Sequence, residues 1–208
     1  MKKIIPILLL LPFLLLLNGC LTTLHPIFTE KDLVAGNQLS GSWEKAKDGS
    51  VTTFRKVTKN ELLQFSQTLQ LNGDKIYKAV IKEKDEAESF YYVFLVKLGK
   101  YYYLDYYPAD TKDSSQSDAF FKAHYIPMHS IYRIDFGADG QFELKQLDGG
   151  YLEKLIKNKQ IHIQHTTLDD GGYFITAPTE ELQQYLIKYS DVPEAYDNSN
   201  SSEYKKLN

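Results

Sequence analysis

Three groups of residues have types and spacings that could support chemistry. His162 and His165 form an H-x-x-H, which on a helix would turn two imidazoles to one face for a metal. The run Ile161-His162-Ile163-Gln164-His165 instead alternates like a strand, where positions i and i+3 point to opposite faces, so no metal site is assigned. His124 and His129 flank Tyr125-Ile126-Pro127-Met128, a setting for a functional loop or for ordinary hydrogen-bonded histidines. Asp110, Asp113 and Asp118 lack the glycine and glutamate of a calcium loop and read as a solvated turn region. No G-x-S-x-G elbow and no phosphate-cradling glycine loop occurs. No catalytic residue or cofactor follows from motifs, and an enzyme here would have to gather its groups from distant segments.

The single cysteine, Cys20, stands at the end of a leader. Lys2 and Lys3 precede an apolar run from Ile4 to Leu17, and Leu17-Asn18-Gly19-Cys20 resembles a lipobox. In that arrangement the thiol takes a diacylglycerol and the small Gly19 lets a peptidase reach the bond before Cys20. Fourteen residues at ~1.5 Å rise span roughly 21 Å, short of a ~30 Å hydrocarbon core, and Pro6 and Pro12 interrupt them. A cleaved leader is therefore expected over a spanning helix. Lipidation also accounts for an unpaired cysteine in an exported chain. The expected partner is a membrane, held through N-terminal acyl chains. With Leu21 rather than Asp after the cysteine, a Gram-negative host would place the protein in the outer membrane, facing the periplasm.

The whole chain carries 24 basic and 27 acidic residues, and losing Lys2 and Lys3 makes it more acidic still. There is no basic patch for nucleic acid. The compositional excess is aromatic, with 16 Tyr and 11 Phe against one Trp. Tyrosine suits strands and half-wet surfaces, where the ring is apolar and the hydroxyl meets water.

Elements able to position these residues are mostly strands. Leu39–Lys45 and Val51–Val57 flank a turn at Asp48-Gly49, and Ile76–Lys84 alternates as a half-buried strand. The stretch from Asn60 to Leu71 fits either helix or strand. Phe90–Tyr107 is the strongest hairpin, turning at Gly99-Lys100. A two-residue loop pairs Leu98 with Tyr101, Val96 with Tyr103, Phe94 with Asp105 and Tyr92 with Tyr107. Both faces of this hairpin are apolar or aromatic, so it should be covered on both sides or belong to a closed barrel. Tyr92, Tyr101, Tyr103 and Tyr107 either line a ligand pocket or make cross-strand aromatic pairs worth ~0.2–1 kcal/mol each. A second hairpin is expected over Ile131–Phe136 and Gln141–Leu147, and Ile161–Thr166 and Tyr173–Thr176 flank Asp169-Asp170-Gly171-Gly172. Asp148 can cap a short helix over Tyr151–Asn158, Thr179 can cap a final helix, and Thr29 and Asp32 have capping-box spacing.

Two resemblances rest on these residues. Pro26-Ile27-Phe28-Thr29-Glu30-Lys31-Asp32-Leu33-Val34 followed by Leu39-Ser40-Gly41-Ser42-Trp43 resembles the start of a family of uncharacterised bacterial lipoproteins. Thr176-Ala177-Pro178-Thr179-Glu180-Glu181-Leu182 is similar to its C-terminal part. That family implies no activity. Gly41-Ser42-Trp43 is similar to the Gly-x-Trp of lipocalins, which implies that Trp43 closes a barrel floor and helps hold a ligand. Asp105-Tyr106 is similar to a second lipocalin motif, although Leu104 stands where that motif has threonine.

The expected organisation is a signal peptide over residues 1–19, an anchor and tether over 20–38, one β-rich domain over 39–189 and a flexible tail over 190–208. The expected fold is mainly β (α+β), a curved antiparallel sheet or small lipocalin-like barrel with short late helices. Three functions stay open: an envelope interaction domain without enzymatic activity, a carrier of a hydrophobic or amphipathic small molecule with a tyrosine-lined cavity, and a hydrolase. A filled barrel with an exposed apolar patch favours the first. An open barrel favours the second, and a cleft with convergent carboxylates or histidines the third.

Overall fold

The computed structural model describes residues 21–84, 86–109, 125–138, 140–169 and 172–207. The leader, the lipobox residues Leu17, Asn18, Gly19 and Cys20, and His124, Asp110, Asp113, Asp118, Asp170 and Gly171 lie outside them.

The chain is mainly β. Eight antiparallel strands close a lipocalin-like barrel: β2 (Gly41–Lys45), β3 (Val51–Lys56), β4 (Ile76–Lys82), β5 (Ser89–Leu98), β6 (Tyr101–Pro108), β7 (His129–Phe136), β8 (Gln141–Leu147) and β11 (Tyr196–Lys206). Each pairs with the next in sequence, and β11 pairs back onto β2 to close the ring. Between β8 and β11 the chain leaves the barrel to build α3 (Gly149–Lys157), β9 (His165–Thr167), β10 (Tyr173–Ile175) and α4 (Thr179–Lys188). A two-residue strand, β1 (Thr22–Thr23), joins β10 to β7.

The local chemistry explains the strands. β5 and β6 pair in the expected register, from Leu98 with Tyr101 to Tyr92 with Tyr107. Gly99 turns them at φ +58°, a conformation glycine adopts without steric cost. Both faces are covered, as their composition requires. Val93, Leu95 and Leu104 point into the barrel beside Trp43, Phe54, Tyr77, Ile134 and Phe142. Tyr92, Phe94, Val96 and Tyr103 point outward, under the N-terminal segment and the two late helices. The ambiguous stretch after β3 forms two short helices, α1 (Lys59–Leu62) and α2 (Gln67–Gln70). Thr58 and Glu61 supply a capping box for α1, and Ser66 caps α2.

Three expectations are corrected. Residues 196–206, expected within a flexible tail, form β11. Their polar residues fit because β11 turns Tyr204 inward onto Phe142, with ring centroids 4.8 Å apart, while much of its other face stays in solvent. Residues 21–38 are no free tether, because Leu21, Ile27, Phe28 and Leu33 are buried against the outside of the barrel. Thr179 does not cap α4: Pro178 holds that position, and the Thr179 hydroxyl donates to Pro26 O at 2.8 Å.

Candidate functional site

The barrel is packed at one end and open at the other. At the packed end Trp43 lies against Phe142 with centroids 4.6 Å apart, and its Nε1 donates to Leu39 O at 2.7 Å. Lys206 sits 5.4 Å from the Trp43 ring centroid. Gly41, at φ +121°, leaves the space it needs, since a Cβ there would lie 2.9 Å from Lys206 Cε. The Tyr77 hydroxyl donates to Gly36 O at 2.5 Å and ties the N-terminal segment across this end.

At the open end the inward side chains leave a cavity of about 310 Å³. Tyr91, Tyr106, Tyr132 and Tyr204 line it, with Ile81 and Leu144 beside them and Ser130, Gln146 and Ser202 among the polar groups. The tyrosines come from four different strands at positions that the two-residue period turns inward. Tyr106 meets Tyr91 and Tyr132 edge-on, with centroids 5.8 Å and 5.5 Å apart. Burial pushes the Tyr204 phenol up to about 12 and the Tyr106 phenol well above its usual value. Both are therefore neutral near pH 7. The mouth offers aromatic walls and neutral hydrogen-bonding groups, with Lys45, Lys47 and Glu83 also lining it. Lys45 is paired with Asp48 at 2.8 Å.

The tyrosines selected on sequence lie on the other face of the hairpin. Tyr92 packs edge-on against Phe65 at 4.9 Å and hydrogen-bonds Gln64. The Tyr103 hydroxyl donates to Leu186 O of α4 at 3.4 Å, and that of Tyr101 to Asp191 at 2.6 Å. Tyr107 lies 4.8 Å from the His129 ring. Tyr92, Tyr101 and Tyr103 hold the outer layer to the barrel, Tyr107 lines a groove outside it, and Trp43 belongs to the packed end. Their placement on the outer face has a simple cause: with both faces aromatic, the sequence pattern cannot say which face turns inward.

His129 is the residue whose setting the sequence reading missed. It opens β7 and is buried, with Nδ1 2.5 Å from Oδ1 of a fully buried Asp105. The other Asp105 oxygen accepts from Ile27 N at 3.0 Å. The available signal was Asp105 itself, an acid in an apolar hairpin at a position that had to be covered and so needed a partner. The pair lies beside a second cavity, an outer groove of about 550 Å³ between the N-terminal segment, α2 and β6. A carboxylate can orient an imidazole as a general base. The groove's hydroxyl-bearing Thr29 and Ser66 are otherwise engaged, Thr29 donating to Asp32 at 2.7 Å and Ser66 capping α2. His162 is exposed, and the His165 ring is held by Ile163 O at 2.7 Å.

Searches against protein-family models, curated proteins and solved structures find no match to this chain.

Proposed function

We propose that this chain is a lipid-anchored binding protein of the bacterial envelope whose barrel mouth holds a compact amphipathic molecule. The observation that carries the reading is the cavity of about 310 Å³ walled by Tyr91, Tyr106, Tyr132 and Tyr204. Its size lies at the lower end of small-molecule sites, roughly 300–1,000 Å³, and its four phenol rings face a polar set that includes Ser130, Gln146, Ser202, Asn200 and Lys47, a mixed lining that suits an amphipathic ligand. A ring-sized ligand would stack on the phenols and direct its polar edge to Ser130, Gln146 and Ser202. The carrier reading thus stands ahead of the pure interaction domain, which a filled barrel would have favoured.

The anchor fits the same reading. Thr22, two residues after Cys20, pairs with Ser130, and Ser130 lines the mouth. Acyl chains on Cys20 would therefore join the flank of the barrel beside β7, in the outer membrane of a Gram-negative host. Two experiments test the two halves. Cys20→Ser should leave unprocessed precursor without palmitate label, and normal labelling of that variant would remove the anchor. Ser130→Trp should fill the mouth and abolish ligand retention in a folded protein; retention at the wild-type level would place the ligand elsewhere.

A further inference from the structure

We propose that the outer groove is a second ligand site, separate from the barrel mouth, for an uncharged single-chain amphiphile whose hydroxyl head meets His129. Its walls are apolar and already organised. Phe28 stacks on Phe94 with centroids 4.3 Å apart, and Phe65 meets Phe94 edge-on at 6.1 Å. Leu69 and Pro127 extend this surface. The volume of about 550 Å³ accommodates a chain rather than a single ring.

The polar end follows from the buried pair. Asp105 occupies Nδ1 of His129, so Nε2 is the ring nitrogen left for a head group. An alcohol hydroxyl suits that nitrogen because it can either donate or accept. A carboxylate or phosphate head would meet the Glu30 carboxylate, which lines the groove. Charge therefore selects a neutral head such as that of a monoacylglycerol.

The groove also has an apolar approach. Leu63, Leu71 and Ile126 are 73%, 85% and 62% exposed, and each lies within two residues of a groove-lining side chain. Exposed apolar residues gathered beside a preformed groove mark a place where an apolar ligand enters.

The test uses residues 21–208, which contain every strand and helix described above, and displacement of a naphthylamine dye by monolauroylglycerol or by laurate. Saturable displacement by monolauroylglycerol, tighter than by laurate, is expected. Leu69→Asp, on the surface helix α2, should weaken it at least about tenfold, the equivalent of ~1.4 kcal/mol. His129→Phe should weaken it while keeping the volume, and Ser130→Trp should leave it unchanged. Absence of saturable displacement, tighter binding of laurate, or loss with Ser130→Trp but not Leu69→Asp would overturn the assignment. The Ser130→Trp arm separates failure of this site from failure of the mouth.

Discussion

Removing His129 should cost far more stability than a histidine at the end of a strand ordinarily would. Asp105 is fully buried on the outer face of β6, and its two oxygens serve His129 Nδ1 at 2.5 Å and Ile27 N at 3.0 Å. Deleting one member of a buried pair typically costs ~3–5 kcal/mol, because the other is left uncompensated. His129 borders the groove, where water can reach the vacated space, so His129→Ala belongs at the lower end, about 3 kcal/mol. Asp105→Ala should cost about 4–5 kcal/mol, because it also orphans the buried Ile27 N–H. The double variant should cost no more than Asp105→Ala alone, giving a coupling of at least about 3 kcal/mol. Urea titration at pH 7, read through the fluorescence of the only tryptophan, Trp43 in the packed barrel end, measures all three. A cost below about 1 kcal/mol for His129→Ala, the level of an exposed pair, or additive single-variant costs, would show that the pair is not a coupled buried unit.

Other consequences can be checked on the same protein. The Lys56 ammonium is buried over the Tyr77 ring at 3.4 Å without a hydrogen-bond partner, and burial pushes it down to about 8. The unfolded chain then binds the extra proton between about pH 8 and ~10.5, so stability should climb over that window. Lys56→Met should flatten the climb and gain about 1–2 kcal/mol at pH 7, after allowing for the lost cation–π contact. Glu61 is held below the usual carboxylate range by hydrogen bonds from Arg55, with the Thr58 backbone and Lys78 adding to them. Its contribution is complete above ~4.5 and is lost only as pH falls well below the usual carboxylate range; Glu61→Gln should cost about 1 kcal/mol at pH 7 and a smaller but still measurable amount near pH 3 in thermal melts. Truncation after Ala195 removes the closing strand, so Trp43 emission should shift to that of the unfolded chain; a cooperative melt with unshifted emission would mean that the barrel closes without β11.

Much of the barrel is legible in the sequence because its strands alternate and its turns carry glycine. The β5–β6 register follows from Gly99-Lys100 alone, and the doubly apolar hairpin requires a cover on each side. Closure was not legible. Residues 196–206 read DNSNSSEYKK after Tyr196, a polar run with one strong inward side chain, Tyr204, and its pairing with β2 spans most of the chain. The choice of face was hidden for a related reason: period two groups Tyr91 with Tyr106 and Tyr92 with Tyr107, but says nothing of which set meets the barrel axis. The Asp105–His129 pair joins an acid in a recognised strand to a histidine read as part of a loop.

Ligand occupancy of the barrel mouth tests the account's central claim most directly. Residues 21–208, purified gently from the native host and sprayed under native conditions, should carry a reproducible added mass that organic extraction removes and that Ser130→Trp abolishes. A bare mass for the wild-type domain under those conditions would contradict the binding role and return the weight to a protein partner.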